Sequence, residues 1–388
     1  MNHPRILLLA DVASSHTEKW ALALAEKGYS IGLFSLNKSA DRWFEGTKNI
    51  QLLYEPSIEK NLNFLLSKLS YVFFLPKLLS IIKSYNPQLL HSHYASSYGL
   101  LGALCRFKPF VLSCWGSDVY DFPTKSIIHK YILKFNLNAA SQILSTSQAM
   151  RGELEKYTKK KVVVIPFGVD CELFYSNNTL VKEKDTVYMG TIKSIEDQYG
   201  ISTILEAVKI LKEDFKYTDF KLLLAGGGSQ QNKYRKMANA LELDNYVTFT
   251  GKIPHSEIVH YHNMLDIFMN VSIVKESFGV SVIESMACEK PVIVTRVPGL
   301  IEIVNNPKLG MVVEKENPRQ LARALKKLIF YPELREEMGK KGREHVLANY
   351  NFKDCLLQMR DLYAELLSTN YEVKSKVNKH PNAVLADS

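Results

Sequence analysis

The 388-residue chain lacks the features that mark several large classes of protein. Its five cysteines are odd in number and include no C-x-x-C pair, so neither a disulfide scaffold nor a zinc site is supported, and we expect reduced, mostly buried thiols. No G-x-x-x-x-G-K-[ST] loop is present, and the run Gly226–Gly228 lacks the G-x-G-x-x-G spacing of a dinucleotide fingerprint. These absences disfavour a P-loop nucleotide hydrolase and a nicotinamide-dependent oxidoreductase.

Long apolar runs and internal repeats are also missing. The run Ile6–Ala10 is too short for a signal-peptide core, and the most apolar stretch, Tyr71–Ile82, is interrupted by Pro76 and Lys77 and falls short of the ~20 residues that cross a bilayer. No repeat of fixed period is visible, which argues against solenoids and propellers. With 46% apolar and 23% charged residues, the composition is that of a folded globular protein, and we expect a cytoplasmic location.

Acidic residues are scarce in the first half of the chain. Residues 1–180 carry a net charge of +7 against +2 for residues 181–388, and residues 60–108 contain six basic residues and no acidic one. The apolar and aromatic neighbours of these residues favour either contact with the anionic inner face of the cytoplasmic membrane or an ordinary core helix with a solvated face. A nucleic-acid surface ranks lowest, because no recognised binding motif accompanies the charge.

The length favours two domains, and short apolar runs alternate with helical segments in two successive series. The predicted strands are Ile6–Ala10, Ile31–Ser35, Gln88–His91, Phe110–Cys114, Ile143–Ser145 and Val162–Ile165 in the first series, and Asp185–Met189, Lys221–Ala225, Tyr246–Phe249, Ile267–Asn270, Pro291–Thr295 and Gly310–Val313 in the second. This pattern predicts an α/β protein in which two doubly wound, Rossmann-like domains face a cleft. We assign residues 1–175 to the first domain, 186–350 to the second, 351–370 to a helix that crosses back to the first domain, and 371–388 to a polar tail.

Two carboxylates flank one predicted helix N-terminus in the second domain. Glu276 lies in the loop after the fourth strand of that series, and ligands of open parallel sheets bind beyond the carboxyl ends of the strands. A helix begins near Gly279, so the amides of Phe278, Gly279 and Val280 would point at an anion such as a diphosphate. Glu284 lies in the next turn or so, where a carboxylate suits a diol such as a ribose.

This stretch resembles the E-x7-E signature of retaining glycosyltransferases of the group 1 type, which have the two-domain GT-B fold. Other segments resemble further motifs of that family: VIPFGVD at 164–170, LLLAGGG at 222–228, GKIPH at 251–255, VPGLIE at 297–302 and GMVV at 310–313. The resemblance covers residues from about 5 to 350 and is most specific from 185 onward. Loops at 90–99 and 113–118 look like those of glycosyltransferases of bacterial polysaccharide and lipopolysaccharide synthesis.

The resemblance implies a metal-independent enzyme without a cofactor, which moves a sugar from a nucleotide-diphosphate donor, expected to be UDP-linked, to a glycan or lipid-linked glycan acceptor. Glu276 would hold hydroxyls of the donor sugar and Glu284 the ribose. Backbone around Ile253 would face the nucleobase, and Gly226 belongs to the donor side.

The chain departs from the family pattern at the residues that neutralise the leaving diphosphate. The family has Arg and Lys in this loop, whereas here Thr191 holds the position of Arg and Tyr199 is the residue before Gly200. Lys193 is the only cation of the loop, and departure of a diphosphate needs positive charge or strong hydrogen-bond donors. We expect Lys193 to take this role with the Thr191 hydroxyl assisting; the alternative is an exposed loop lysine and an enzyme with weak or no activity.

The first domain offers residues for the acceptor side. Ser14, Ser15 and His16 follow the first strand, where His16 is either a base or a neighbour of the helix cap. Trp115 could stack on a sugar. Asp118 could accept a hydroxyl proton or cap the following helix. His91 ends a predicted strand and His93 lies two residues beyond it. Because side chains alternate along a strand, we expect only one of the two, with His93 the candidate, to face the site.

Two other functions fit the same sequence. A nucleotide-sugar 2-epimerase of the same fold would act on a free UDP-sugar without an acceptor. A catalytically degenerate protein would bind nucleotide or glycan without turnover, and the replacement of Arg by Thr191 keeps this alternative open.

Overall fold

The computed structural model of the chain describes residues 3–56, 69–177 and 182–379. These residues form two compact units. The N-terminal unit comprises the described residues up to Ile165 together with those from Cys355 onward, and the C-terminal unit comprises those from Pro166 to Asp354.

The N-terminal unit contains a seven-stranded sheet whose strands pair in parallel, in the order β3-β2-β1-β4-β5-β6-β7. Its strands are β1 Arg5–Leu9, β2 Ser30–Phe34, β3 Ile50–Tyr54, β4 Leu89–His93, β5 Phe110–Cys114, β6 Gln142–Ser145 and β7 Val162–Val164. Its helices before residue 165 are α1 Ser15–Glu26, α2 Leu75–Tyr85, α3 Ser97–Leu104, α4 Ser117–Tyr120, α5 Ile127–Ala139 and α6 Gln148–Leu154, with 3-10 turns at Leu69–Phe74 and Phe122–Thr124. Apolar side chains fill both faces of the central strands, as expected when helices cover both sides of a parallel sheet.

The C-terminal unit contains a six-stranded parallel sheet in the order β10-β9-β8-β11-β12-β13. Its strands are β8 Val187–Ile192, β9 Phe220–Ala225, β10 Val247–Gly251, β11 Ile267–Asn270, β12 Val292–Thr295 and β13 Met311–Val313. Its helices are α7 Ile201–Glu213, α8 Gln231–Ala240, α9 Ile258–Met264, α10 Val280–Ala287, α11 Pro298–Ile303, α12 Pro318–Phe330 and α13 Pro332–Asn349, with 3-10 turns at Asp197–Tyr199 and His255–Glu257.

Each sheet reverses its strand order at one point, between β1 and β4 in the first and between β8 and β11 in the second. Chain segments that follow the two strands of such a switch point diverge to opposite sides of the sheet, which leaves a crevice at the carboxyl edge. The loops after these four strands are therefore where each unit can bind a ligand.

Several predicted boundaries differ from those of the structure. The edge strand β3 was not predicted; unlike the central strands, it has no fully buried apolar run, since each of its residues is at least partly exposed. The strand predicted to end at Met189 continues to Ile192, so Thr191 lies within β8. The helix predicted over 351–370 continues to residue 379 as α14, Phe352–Lys379, since no glycine or proline interrupts it.

The first unit also ends earlier than residue 175. Residues 166–175 group with the C-terminal unit, because Val169 forms a bridge with Asn351 and the Arg343 guanidinium donates to the Phe174 carbonyl over 3.0 Å. These bonds lie within one unit and fix the chain after β7 to the end of α13.

Candidate active site

An ion pair lies at the switch point of the C-terminal sheet. Lys193 is the first residue after β8, and Glu276 lies in the loop after β11, the strand beside β8. Lys193 Nζ is 2.6 Å from Glu276 Oε1, and the two side chains are only 18% and 14% exposed. Two neighbouring strands thus bring together two residues that are 83 positions apart in sequence, and Lys193 is not an exposed loop lysine.

Neighbouring side chains hold this pair in place. Ser272 Oγ lies 2.5 Å from Glu276 Oε1 and 3.0 Å from Asn270 Oδ1. Thr295 Oγ1, at the end of β12, donates to the Ser272 carbonyl over 2.6 Å. The Lys193 ammonium also lies 4.5 Å from the centre of the Tyr199 ring, within the range of a cation–π contact.

Helix α10 begins beside Glu276. Gly279 precedes the helix with φ of 122°, a conformation that favours glycine, and Phe278 packs its ring against Tyr350 at a centroid distance of 5.3 Å. An α-helix leaves its first N–H groups without partners in the helix, so those around Val280 are available to an anion. Ser281, in the first turn, has a buried hydroxyl oxygen with no hydrogen-bond partner among the described residues. The helix start therefore offers both amides and a hydroxyl.

The backbone at Glu276 is fixed by a close approach of α11. The Gly299 N–H donates to the Glu276 carbonyl over 3.2 Å. A Cβ at Gly299 would lie 2.3 Å from that carbonyl oxygen, which is closer than atoms can pack. Glycine at this position allows the contact that sets the direction of the Glu276 loop.

Glu284 lies on α10, and one oxygen of its carboxylate is 3.4 Å from the ring nitrogen Nε2 of His262. Its side chain is 12% exposed, whereas His262, on α9, is fully buried between Phe174 and Phe268. The contact orients the carboxylate, and its small exposed part remains accessible to a ligand.

The glycine run after β9 serves close backbone packing. A Cβ at Gly226 would lie 2.1 Å from the Lys193 carbonyl oxygen, and one at Gly228 would lie 2.2 Å from that of Ile195. A cavity of about 550 Å³ lies along these loops, lined by Ser194, Glu196, Gln198, Tyr199, Gly227, Gly228 and Lys252. Ile253 follows the last of these residues. Thr191 is 2% exposed, so its side chain lies in the core beside this edge.

Asp118, in the N-terminal unit, organises two loops. Its carboxylate accepts hydrogen bonds from the backbone N–H groups of Ala95, Trp115 and Gly116 at 2.6, 3.1 and 2.7 Å. The residue is completely buried, and burial raises the pKa of this carboxyl against the opposing effect of these hydrogen bonds. A carboxylate held in this way fixes the loops after β4 and β5.

Three candidate acceptor-side residues lie together. The Trp115 ring packs against His93 at a centroid distance of 4.5 Å, and His16 approaches the same indole edge-on at 5.9 Å. These residues follow or end β1, β4 and β5, which are neighbours in the sheet. Ser14 is half-buried at the start of α1, and Ser15 is exposed.

The expectation that only one of His91 and His93 faces the site is wrong, since residues two apart in a strand project from the same face. Their rings lie 4.7 Å apart, and both are buried. His91 contacts Tyr363 Oη at 2.6 Å and Ser113 Oγ at 2.7 Å. Burial lowers the pKa of His93 to about 3 and that of His91 well below its usual value. His93 Nδ1 has no hydrogen-bond partner among the described residues.

Several residues that support the site were not predicted from the sequence. Asn270 and Ser272 could have been noticed, since Asn270 ends the strand that precedes Glu276 and Ser272 lies two residues after it. His262 and Tyr363 carry no local signal, because each meets its partner only through the tertiary fold, Tyr363 at a separation of 272 residues from His91.

Three further properties follow from the described residues. Over 3–56, 69–177 and 182–379, no three His, Cys, Asp or Glu side chains are grouped as metal ligands. None of the helices in these ranges has both the length and the apolar character of a membrane span. All five cysteines are unpaired, and four of them are buried, as expected.

Comparison with known proteins identifies the family. Residues 176–345 match the family Glycosyl transferases group 1, and residues 5–147 match Glycosyl transferase 4-like. An uncharacterized glycosyltransferase of Methanocaldococcus jannaschii is 31% identical over 292 residues, which cover 74% of this chain and 78% of that protein. The chain belongs to the group 1 glycosyltransferases. The resemblance read from the E-x7-E segment is thereby confirmed.

Solved structures confirm the fold of this glycosyltransferase. Sucrose-phosphate synthase from Thermosynechococcus elongatus matches 95% of this chain and 100% of its own, with a TM-score of 0.78 and 22% identity. The Anabaena protein HepE in complex with UDP and glucose matches 94% of this chain and 100% of its own, with a TM-score of 0.74 and 17% identity. The predicted α/β fold with two doubly wound, Rossmann-like domains of the GT-B type is confirmed.

Proposed function

We propose that this glycosyltransferase is retaining and metal-independent. It transfers a sugar from a UDP-linked donor to a glycan or lipid-linked glycan in cell-surface polysaccharide synthesis. The observation that carries the proposal is the Lys193–Glu276 ion pair at the switch point, beside the N-terminus of α10. A cation, a carboxylate and free helix amides at one place suit a sugar joined to a diphosphate. The bound UDP and glucose of the fold neighbour HepE support this donor class.

The donor would lie along the carboxyl edge of the C-terminal sheet. In this proposal the amides of Phe278, Gly279 and Val280 bind the diphosphate, with the buried Ser281 hydroxyl beside them. Glu284, oriented by His262, binds the ribose. The nucleobase lies against the backbone around Ile253 and the adjoining cavity, on the side of the Gly226 loop.

Catalysis would come from stabilising the leaving group. The bond from the anomeric carbon to the diphosphate oxygen breaks, the acceptor hydroxyl oxygen bonds to that carbon from the same face, and the hydroxyl proton passes to the leaving diphosphate. Lys193 neutralises the charge that develops on the diphosphate. Glu276 is engaged by Lys193 and Ser272, which suits a carboxylate that holds sugar hydroxyls rather than one that attacks carbon. Thr191 supports this edge from within β8, since its side chain is buried.

The acceptor would bind to the N-terminal unit. Trp115 offers an aromatic surface, and His93, kept neutral by the burial that lowers its pKa to about 3, can exchange a hydrogen bond with an acceptor hydroxyl. Ser14, Ser15 and His16 border the same loops. We assign Asp118 a positioning role instead of the catalytic one expected from sequence, because backbone amides occupy its carboxylate.

The enzyme would work in the cytoplasm, peripherally on the inner face of the membrane.

Slow hydrolysis of the donor tests the chemistry without a known acceptor. Proton NMR of UDP-glucose or UDP-N-acetylglucosamine incubated with the full chain should show the α-anomer of the free sugar first, with or without EDTA. The β-anomer first would contradict retention, and a rate that falls with EDTA and recovers with a divalent cation would contradict metal independence. A UDP-sugar epimerised at carbon 2 would identify the epimerase alternative.

A further inference from the structure

Helix α5 has two apolar faces, and only one of them is buried. Leu133 and Leu137 face the core of the N-terminal unit and are completely buried. Ile127 and Tyr131, on the other side, are 62% and 64% exposed, with Ile128 and Phe135 beside them at 63% and 48%. Positions 127, 131 and 135 are spaced by four residues and therefore form one row along the helix.

This second face is a concentrated patch. Single exposed apolar side chains are normal on protein surfaces, whereas a contiguous group marks a contact with a partner or a membrane. Four large exposed apolar side chains lie here within nine consecutive residues of one helix. The packing of the N-terminal unit leaves them uncovered, so a partner outside the described chain is the economical explanation.

Basic residues surround the patch. Lys125 and Lys130 are exposed beside it, Lys134 is half-buried on its flank, and residues 122–152 contain no acidic residue. Over the wider segment 60–152 there are ten basic residues and two acidic ones. Of these two, Asp118 is buried against backbone amides, so Asp121 is the single exposed acidic residue of the segment.

A second exposed apolar segment lies on the same side of the sheet. Helix α3 contacts both α5 and the 3-10 turn Leu69–Phe74. In that turn Phe73 is 85% exposed, and Leu79 in the following helix is 45% exposed, with Lys77 and Lys83 close to it in sequence. The apolar and basic character of α5 therefore extends to a neighbouring element.

We propose that the α5 face, formed by Lys125, Ile127, Ile128, Lys130, Tyr131, Lys134 and Phe135, lies on an anionic membrane surface. Isoleucine, tyrosine and phenylalanine would enter the headgroup region while the lysines contact lipid phosphates. Helices of a doubly wound sheet run opposite to the strands, so the N-terminal end of α5 lies at the carboxyl edge that carries Trp115. The inference rests on the proposed function for the idea of a lipid-linked acceptor, which docking on this face would bring to the acceptor side.

A second copy of the chain fits the same face less well. A symmetric dimer through the α5 face would bring Lys125, Lys130 and Lys134 of both copies together, with no acidic residue between positions 122 and 152 to compensate. Like charges across an interface are repulsive, whereas an anionic bilayer complements them.

Vesicle flotation with the full chain tests the proposal. Wild type should float with equimolar phosphatidylglycerol–phosphatidylcholine vesicles, and added salt or pure phosphatidylcholine should reduce the bound fraction. The affinity of the double variant Ile127→Ser with Ile128→Ser for these vesicles should be lower than that of wild type by a factor of about ten or more. Leu347→Ser with Leu357→Ser, which removes two exposed leucines from α13 and α14, is the matched control and should bind like wild type.

A second variant reports insertion directly. In Tyr131→Trp, brominated lipids should quench the added fluorescence, whereas in Tyr331→Trp, at a site of similar exposure on the C-terminal unit, the added fluorescence should remain. The proposal would be overturned if wild type did not float, or if flotation did not depend on anionic lipid and salt. It would also be overturned if the isoleucine double variant bound as well as wild type, or if the Trp at 131 were not quenched. Loss of a dimer in the same variant, without a change in vesicle binding, would identify the face as an interface between copies.

Donor binding separates this proposal from the proposed function. The melting-temperature shift caused by UDP, measured without vesicles, should be the same for wild type and the isoleucine double variant. If the protein bound vesicles but no nucleotide, only the proposed donor site would be refuted. If it bound a nucleotide but no vesicles, only the proposed membrane contact of the α5 face would be refuted.

Discussion

Lys193 lies where the local sequence departs from the family pattern, and its contacts support the proposal that one lysine neutralises the leaving diphosphate. Thr191, at the position of the usual arginine, is inside β8 and 2% exposed. Tyr199, at the position of the usual lysine, places its ring 4.5 Å from Lys193 Nζ. The single cation of the loop therefore reaches the area of the missing lysine while contacting Glu276 over 2.6 Å.

Substitution of Lys193 tests this role. Lys193→Ala should lower the rate of donor cleavage by about 10²–10³, the usual cost of one lost group that stabilises developing charge, and Lys193→Arg should restore part of it. Release of UDP, followed with a coupled assay, gives the measurement. Lys233→Ala, which removes a 55% exposed lysine paired with Asp197, is the control and should leave the rate unchanged. A wild-type rate in Lys193→Ala would show that this lysine has no catalytic part.

At the scale of elements, the contact between α11 and the loop before α10 determines where Glu276 points. Gly299→Ala would place a Cβ 2.3 Å from the Glu276 carbonyl oxygen and push the loop away. We expect the free energy of unfolding to fall by about 1–3 kcal/mol and nucleotide-sugar binding to weaken. Chemical denaturation and calorimetric titration measure the two effects.

Gly152→Ala provides the matched control for this change. Gly152 lies in α6, where an added Cβ would meet nothing within 4 Å. Alanine there should raise the free energy of unfolding by about 0.5–1 kcal/mol through helix propensity. Equal behaviour of the two variants would contradict the role given to the α11 contact.

The buried histidines of β4 should make the N-terminal unit sensitive to acid. Burial lowers the pKa of His93 to about 3, below its usual value of 6.5, and it also lowers that of His91. Between pH 3 and pH 6.5 the unfolded chain binds more protons than the folded one. The free energy of unfolding therefore increases with pH up to about 6.5 and decreases as the pH falls through this range. Each histidine contributes a slope of at most about 1.4 kcal/mol per pH unit, which falls as the pH approaches 6.5.

Denaturation at a series of pH values between about 5 and 6.5 measures this slope, in a range where acidic side chains contribute less. His93→Gln should reduce the slope of the free energy of unfolding against pH by the contribution of one histidine, whatever the substitution does to stability at a single pH. His260→Gln, at an exposed histidine of α9, should leave the slope unchanged. An unaltered slope in His93→Gln would show that His93 is protonated in the folded protein.

At the scale of the whole molecule, the alternation of apolar runs and helices was enough to predict two parallel sheets and to place Lys193 and Glu276 after strands of the same sheet. It could not predict β3, whose residues are all at least partly exposed. Nor could it predict the contact between His91 and Tyr363, which depends on how α14 packs within the N-terminal unit. Local patterns predict elements, whereas contacts between distant residues need the assembled fold.

The second face of α5 shows the same limit. Ile127, Tyr131 and Phe135 have the spacing of core residues, and only the structure shows that Leu133 and Leu137 occupy the core instead. The basic stretch, residues 60–108, contains α2, which buries Leu78 and Ile81 and has the features of a core helix. Residues 60–68 of this stretch lie outside the described part of the chain.

A thermal-shift series with UDP, GDP, ADP and their common sugar conjugates shows whether the carboxyl edge of the C-terminal sheet binds a nucleotide-sugar. A ligand that binds only the folded state raises the melting temperature by mass action, whatever the acceptor. We predict stabilisation by the UDP compounds, reduced in Glu284→Gln and retained in Glu242→Gln, a control at an 84% exposed glutamate. Absence of any shift with every nucleotide, from protein shown to be folded, would contradict the account.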